Sequence, residues 1–231
     1  MTEVSLYTDA IDELSTWHFS EPTTNRKGGK TVFILRNANS LCPPAIQLTT
    51  DNDPRLRTSG LCRHDDSSRL NLDFNIGCRS LELFFESVDE YLPKVAFENC
   101  SEWFKKTLTE SEIKNMYKPL MTRANNSQNP PTVKTKLTAS GANATRVWKV
   151  TGCKDGKCTY NEGSIDDITK NNSYWANISV TGMYFLSRQF GCTVSTTDIL
   201  VFPTVKQSIP FMTEIALREE SDEPETILKK Y

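Results

Sequence analysis

Four groups of residues in this 231-residue chain have types and spacings that chemistry could use. Gly29-Lys30-Thr31 ends like a phosphate-binding P-loop. That motif needs a glycine five positions earlier, where Thr24 stands, and a strand before with a helix after; here a strand follows. Cys153-x4-Cys158 could give zinc two thiolates, with Cys192 or a histidine completing the set. Structural zinc sites favour shorter gaps and a second matching pair, and His18 and His64 are the only histidines, so a hairpin turn with incidental cysteines is the reading. Asp65-Asp66 and Asp166-Asp167 sit in turn-like polar stretches with no third carboxylate on an apolar strand, which is poor material for a magnesium site. Neither histidine neighbours an obvious nucleophile, so acid–base and covalent catalysis have little to work with. No enzyme, metal or cofactor is expected.

What remains is a pattern of cations interleaved with aromatic rings. It comprises Trp103-Phe104-Lys105-Lys106, Tyr117-Lys118, Arg146-Val147-Trp148-Lys149 and Tyr184-Phe185-x-x-Arg188. All four lie in the segment 94–206, whose net charge is +6, against −5 for 1–93 and −3 for 207–231. Unpaired nucleic acid is held by this combination: cations follow the phosphates, and flat rings stack on bases at about 1–3 kcal/mol per base. Lys105, Lys106, Lys134, Lys136, Arg146, Lys149 and Arg188 are the candidate phosphate contacts. Trp148 and Phe185 share faces with basic or polar residues and are the candidate stacking rings, whereas Trp103, Phe104 and Tyr184 read as core.

These residues must be positioned mainly by strands. Thr31–Arg36 and Ala45–Thr49 are β-rich runs, and Arg69–Asn75 alternates strictly, with Leu70, Leu72 and Phe74 on one face. Leu81, Phe84, Phe85, Val88 and Leu92 then fall at helical spacing, which predicts a helix over 80–91 ending near Pro93. Thr109-Glu-Ser-Glu112 has the form of a capping box and predicts a second helix to about Tyr117. Strands return at Thr132–Leu137, Thr145–Val150, Asn177–Ser187 and Phe190–Phe202. In Asn177–Ser187 simple alternation puts Ile178, Val180, Tyr184 and Leu186 on one face and Met183 and Phe185 on the polar one.

No apolar run approaches the length of a membrane span, and no membrane partner is expected. The start, Met1 to Tyr7, has neither a basic nor an apolar signal region. An intracellular, non-secreted protein is expected, with its seven cysteines reduced and mostly filling the core, and its Asn-x-Ser/Thr sequons unused.

The chain resembles the single-stranded-DNA-binding proteins of large eukaryotic DNA viruses with an OB fold (oligonucleotide/oligosaccharide-binding), which are distantly similar to the replication protein of short-tailed phages. The resemblance runs over roughly residues 25–202. It lies in Arg26-Lys-Gly-Gly-Lys30, Pro44-Ala-Ile-Gln-Leu48, Pro54-Arg-Leu-Arg57, Glu102-Trp-Phe-Lys-Lys106, Pro130-Pro-Thr-Val-Lys-Thr-Lys136, and Val180-Thr-Gly-Met-Tyr-Phe-Leu186 with Phe190-Gly-Cys192. It implies a mainly β fold, an OB-like barrel with one or two inserted α-helices, over residues 1–218. It also implies non-sequence-specific binding of single-stranded DNA in viral replication, recombination or repair, and no enzymatic activity. Residues 219–231 are expected to be a disordered acidic tail that docks replication proteins through Glu219, Glu220, Asp222, Glu223, Glu225 and Tyr231, although Lys229 and Lys230 depart from the phage pattern. The competing reading is a structural or partner-binding β-protein without nucleic acid.

Overall fold

Short strands, then helices, then long strands follow one another along the chain. The computed structural model describes residues 3–24, 28–50, 54–63, 69–124, 129–154 and 157–204. Strand β1 (Val4–Leu6) leads into α1 (Tyr7–Glu13), followed by β2 (His18–Phe19), β3 (Thr23–Thr24), β4 (Lys30–Leu35) and β5 (Ala45–Gln47). Next come β6 (Arg57–Arg63) and β7 (Arg69–Asn75), then the helices α2 (Arg79–Glu98), α3 (Cys100–Phe104) and α4 (Glu110–Met116). The second half is β8 (Tyr117–Lys118), β9 (Met121–Thr122), β10 (Thr132–Thr138), β11 (Arg146–Lys154), β12 (Lys157–Glu162), β13 (Ser173–Phe185) and β14 (Phe190–Phe202).

The strands form one connected sheet in the order β1-β5-β13-β14-β10-β7-β6, with the others attached to this path. The expected closed barrel does not form. No ladder joins β6 to β1 among the described residues; only Leu56, just before β6, exchanges two backbone hydrogen bonds with Tyr174, at 2.9 and 3.0 Å. The cause is competition for the free edge of β13. Strand β5 holds that edge at Asn177–Ser179 and β4 holds it at Gly182–Phe185, which leaves only its first residues to receive Leu56.

Two irregularities in the β13–β14 hairpin decide which side chains face water. An extra residue, Thr181, separates the Val180–Val194 pair from the Gly182–Thr193 pair. A single added residue in a strand shifts the alternation by one and turns every later side chain to the other face. Ile178 and Val180 are therefore buried before the bulge, and Met183 and Phe185 after it, while Tyr184 turns outward. This overturns the expectation of an exposed Phe185, which is only 8% accessible. Its ring stacks on Phe190 at 5.7 Å and meets Trp103 and Phe104 edge-on at 5.8 and 5.3 Å. Thr197 plays the same part in β14, between the Ile178–Thr196 and Asn177–Asp198 pairs.

The helices cover the apolar face. Helix α2 continues to Glu98 through the buried Pro93 instead of stopping before it. An internal proline costs about 3 kcal/mol, but Val95 and Ala96 extend the stripe of Leu81, Phe84, Phe85, Val88 and Leu92 into the core, a gain of the same order. The capping box at Thr109 and Glu112 forms as the sequence predicts. Lys30, the cation of the P-loop-like tripeptide, donates to the carbonyls of Glu102 and Trp103 at the end of α3, satisfying acceptors that a helix terminus leaves open. Burial, and then Lys105 nearby, hold its ammonium below the usual lysine range.

Candidate nucleic-acid interface

Residues paired across neighbouring strands share a face of the sheet, so the pairing register defines the side opposite the helices. Trp175 pairs with Leu200, Asn177 with Asp198, Gly182 with Thr193, and Tyr184 with Gly191. Lys136 is bridged to Ser195 and paired with Asn71, and Lys134 is paired with Asp73. Arg146 and Trp148 continue the same face through Asp198 and Leu200, and Phe33 joins it opposite Gly182. One surface thus carries polar rows and five aromatic side chains, Phe33, Trp148, Tyr160, Trp175 and Tyr184. It contains two depressions.

The first is a cleft of about 230 Å³ lined by Asn71, Lys118, Thr122, Lys134, Lys136, Tyr184 and Thr193. All three lysines are exposed, and Lys136 also reaches the Thr193 hydroxyl at 3.4 Å. The Tyr184 ring lies over Gly191, where a Cβ would come within 2.7 Å of the phenol oxygen, so the flat placement of the ring depends on that glycine. Lys118 is placed by a buried carboxylate. Asp89 accepts hydrogen bonds from the Tyr117 hydroxyl at 2.7 Å and from the amides of Leu120 and Met121 at 2.8 and 3.2 Å, fixing the turn between β8 and β9. Burial raises the Asp89 carboxyl above the usual carboxylate range despite these three donors.

The second depression is a groove of about 410 Å³ lined by Gln47, Trp148, Tyr160, Trp175, Asn177, Asp198 and Leu200. Trp148 and Tyr160 meet edge-on at 5.7 Å, and Phe202 braces Trp175 at 5.2 Å. From Thr193 in the cleft to Asp198 in the groove is five residues along β14, roughly 16 Å at about 3.3 Å per residue.

The nine candidate contacts divide between these places and elsewhere. Lys134, Lys136, Arg146 and Trp148 lie on the shared face. Arg146 is bound there to Asp198 at 2.6 Å. Strand alternation sends Lys149 to the opposite face of β11, where it pairs with Asp167 at 2.7 Å; the same contact, with the Ser164 amide, holds the Asp167 carboxyl low. Lys105 and Lys106 follow α3, and Arg188 sits exposed in the β13–β14 turn, so these three are not part of either depression. Phe185 is core. The tail residues Glu219, Glu220, Asp222, Glu223, Glu225 and Tyr231 lie outside the described residues, as do His64 and Asp65-Asp66.

Phe33, Tyr160 and Trp175 on this face were not among the candidates, and Lys118 belonged to the cation–aromatic pattern without being carried into the candidate contacts. Alternation in Thr31–Arg36 already separates Phe33, 49% accessible, from the buried Val32 and Ile34, and would have found it. Trp175 and Tyr160 carried no such signal, because the groove forms only where β5, β11, β12, β13 and β14 meet. The cysteines also differ from expectation. Cys153 and Cys158 face each other across the β11–β12 hairpin and form a disulfide; Cys42 and Cys62 are exposed, and only Cys192 is a buried thiol. Among the described residues no three His, Cys, Asp or Glu side chains gather as metal ligands, and no helix is long and apolar enough to cross a membrane.

No family model and no curated protein matches the chain. Among solved structures it is similar to the single-stranded DNA-binding protein of bacteriophage Enc34. The matches are to a C-terminal truncation (TM-score 0.41, 7% identity, 80% of this chain and 95% of that one) and to a complex with single-stranded DNA (0.41, 8%, 81% and 97%). The protein without that truncation gives 0.40, 7%, 86% and 99%. At TM-scores below 0.5 these likenesses carry no weight for function, and the expected kinship with large eukaryotic DNA viruses gains nothing from them.

Proposed function

We propose that this chain binds single-stranded DNA, without catalysis, across the polar face of its sheet. The observation that carries the reading is that Lys118, Lys134 and Lys136 converge with Tyr184 in one cleft, and that the same face continues into a groove walled by Trp148, Tyr160 and Trp175. Lysines beside flat rings suit a flexible polyanion with exposed bases, and a duplex, whose bases are stacked inward, offers nothing to the rings. Phosphate and stacking contacts carry little sequence information, so binding extends to single strands of any sequence. Fluorescence anisotropy with a single-stranded oligonucleotide and a hairpin duplex, each at about 50 and 200 mM salt, tests this. Strong preference for the single strand and a steep loss with salt are expected; equal affinity for both, or salt-insensitive binding, rejects it.

A place in replication, recombination or repair and a viral origin are the parts of the proposal that rest on the sequence resemblance. For residues 219–231 the support is charge: five acids against two lysines, tethered to a basic protein segment. We assign this segment competition with DNA and docking of replication partners. Deleting it should tighten binding several-fold at low salt and leave it unchanged at high salt; identical binding at low salt rejects the competition. The alternative of a partner-binding β-protein draws on the exposed Leu41 and Leu186, but apolar side chains scattered singly over a surface are ordinary.

A further inference from the structure

Two of the groove's rings stand on the β11–β12 hairpin, and they are held with different security. Trp148 lies at the base, where β11 is paired with β14 over Arg146–Lys149 and the Gly163 amide donates to the Val147 carbonyl at 2.8 Å. From Val150 onward β11 has no partner strand but β12, and β12 has none but β11, among the described residues. Tyr160 belongs to this outer part, paired with Val150. A two-stranded ribbon is marginal by itself, and this one is weakened further. Thr151 is an extra residue between the Val150–Tyr160 and Gly152–Thr159 pairs, Gly152 brings no side chain to pack, and the last pair sets Lys154 directly against Lys157. The hydrogen bond between the Thr151 and Thr159 hydroxyls is exposed, where water competes for it. The strong link in the ribbon is the Cys153–Cys158 disulfide, one pair short of the end, with Cys153 exposed.

We propose that the Cys153–Cys158 disulfide is a redox-sensitive support for the Tyr160 wall of the groove, so that a dithiol reductant weakens single-strand binding at the groove and leaves the lysine cleft untouched. The proposal rests on the single-strand reading and adds a regulation to it. Reduction passes two electrons and two protons from the dithiol to the bridge. The S–S bond of Cys153–Cys158 breaks, each cysteine sulfur becomes a thiol, and the two sulfurs of the reductant join in a disulfide. Without the link the ribbon opens from its Lys154–Lys157 end down to the Thr151 bulge. Tyr160, in the next pair along, then loses its edge-on contact with Trp148. Trp148 keeps its place because β14 holds it. Lys118, Lys134 and Lys136 stand on β8 and β10, which form no ladder with the hairpin among the described residues.

The test is anisotropy with a labelled oligo-dT against the full chain, once after oxidation by glutathione disulfide and once after reduction by dithiothreitol. Mass spectrometry of the alkylated protein reports the bridge in each sample. Reduction should weaken binding about fivefold, the low end of what one stacked base contributes, with the salt slope unchanged. Amide hydrogen exchange over Lys157–Glu162 should quicken in the reduced protein while that over Ser173–Phe185 does not. Cys153→Ser/Cys158→Ser keeps the free thiols Cys42, Cys62, Cys78, Cys100 and Cys192, and it should bind like the reduced protein under both conditions. Tyr160→Ala alters an exposed side chain; it should bind about fivefold more weakly than the oxidised protein and no longer respond to the reductant. It serves if the double-serine variant fails to fold. Equal affinity before and after reduction, a response that persists in the double-serine variant or in Tyr160→Ala, unchanged exchange over β12, or no bridge in the oxidised sample overturns the proposal while leaving single-strand binding intact. Absence of binding by the oxidised protein to any single strand rejects the underlying function instead.

Discussion

The lysine cleft and the aromatic groove share one face of one sheet, yet they treat charge in opposite ways. In the cleft Lys118, Lys134 and Lys136 line the wall beside Tyr184 and no carboxylate lines it with them, so cations are what a ligand's phosphates meet there. In the groove the nearest cation, Arg146, is already matched by Asp198, and what is left to attract a ligand is ring surface and the carboxamides of Gln47 and Asn177. Ion pairs at an exposed surface add little to stability, but they do set which charges a polyanion meets first. A strand crossing both would thus draw salt-sensitive affinity from one end and salt-insensitive stacking from the other.

The largest effect should come from the cleft. Replacing Lys118, Lys134 and Lys136 together by alanine should weaken single-strand binding on the order of 50-fold at low salt. It should also flatten the salt slope by about two, since each phosphate contact on a single strand contributes about 0.7. A full salt slope in that variant would break the division between cleft and groove. Trp148→Ala should cost on the order of tenfold with the slope unchanged, because stacking releases no counterions. A changed slope would show that the groove, too, acts through charge.

A smaller effect concerns how the cleft is held. Burial lifts the Asp89 carboxyl, so its contribution to stability is fully present below the ordinary aspartate pKa of about 3.9 and is lost as pH rises through its higher folded value. Against Asp89→Asn, which stays neutral, the unmodified protein should lose relative stability as pH rises through that window, read from denaturant midpoints. The opposite trend would mean that the three donors to the carboxylate outweigh its burial. Least of all should change in Lys149→Ala, whose side chain is tied to Asp167 away from the face. Its affinity and slope should stay within about twofold of the unmodified protein. A loss as large as that for a cleft lysine would place DNA on both sides of β11.

Much of the local structure was legible in residue order. The stripe from Leu81 to Leu92 made α2, the Thr109–Glu112 box started α4, and alternation in Arg69–Asn75 made β7, because each signal is carried by residues within a few positions of one another. The cationic strand β10 was legible for the same reason, and Lys134 and Lys136 do stand on its exposed side. Sequence alone thus determined a mainly β chain with a helical insert, a basic middle and a strand that exposes Lys134 and Lys136 on one side.

Tertiary structure decided the rest. Whether Phe185 or Tyr184 faces water depends on Thr181, an extra residue defined only by the partner strand that it fails to match. Whether the sheet closes depends on β4 and β5 reaching the free edge of β13 first, and those strands lie more than a hundred residues away. The groove likewise exists only because Gln47, Trp148, Tyr160, Trp175 and Asp198 are brought together from five strands. Helical and strand periodicity are set by the backbone's own geometry and can be read in one dimension. Bulges, edge occupancy and shared faces are properties of pairs of strands, so no single strand's sequence contains them.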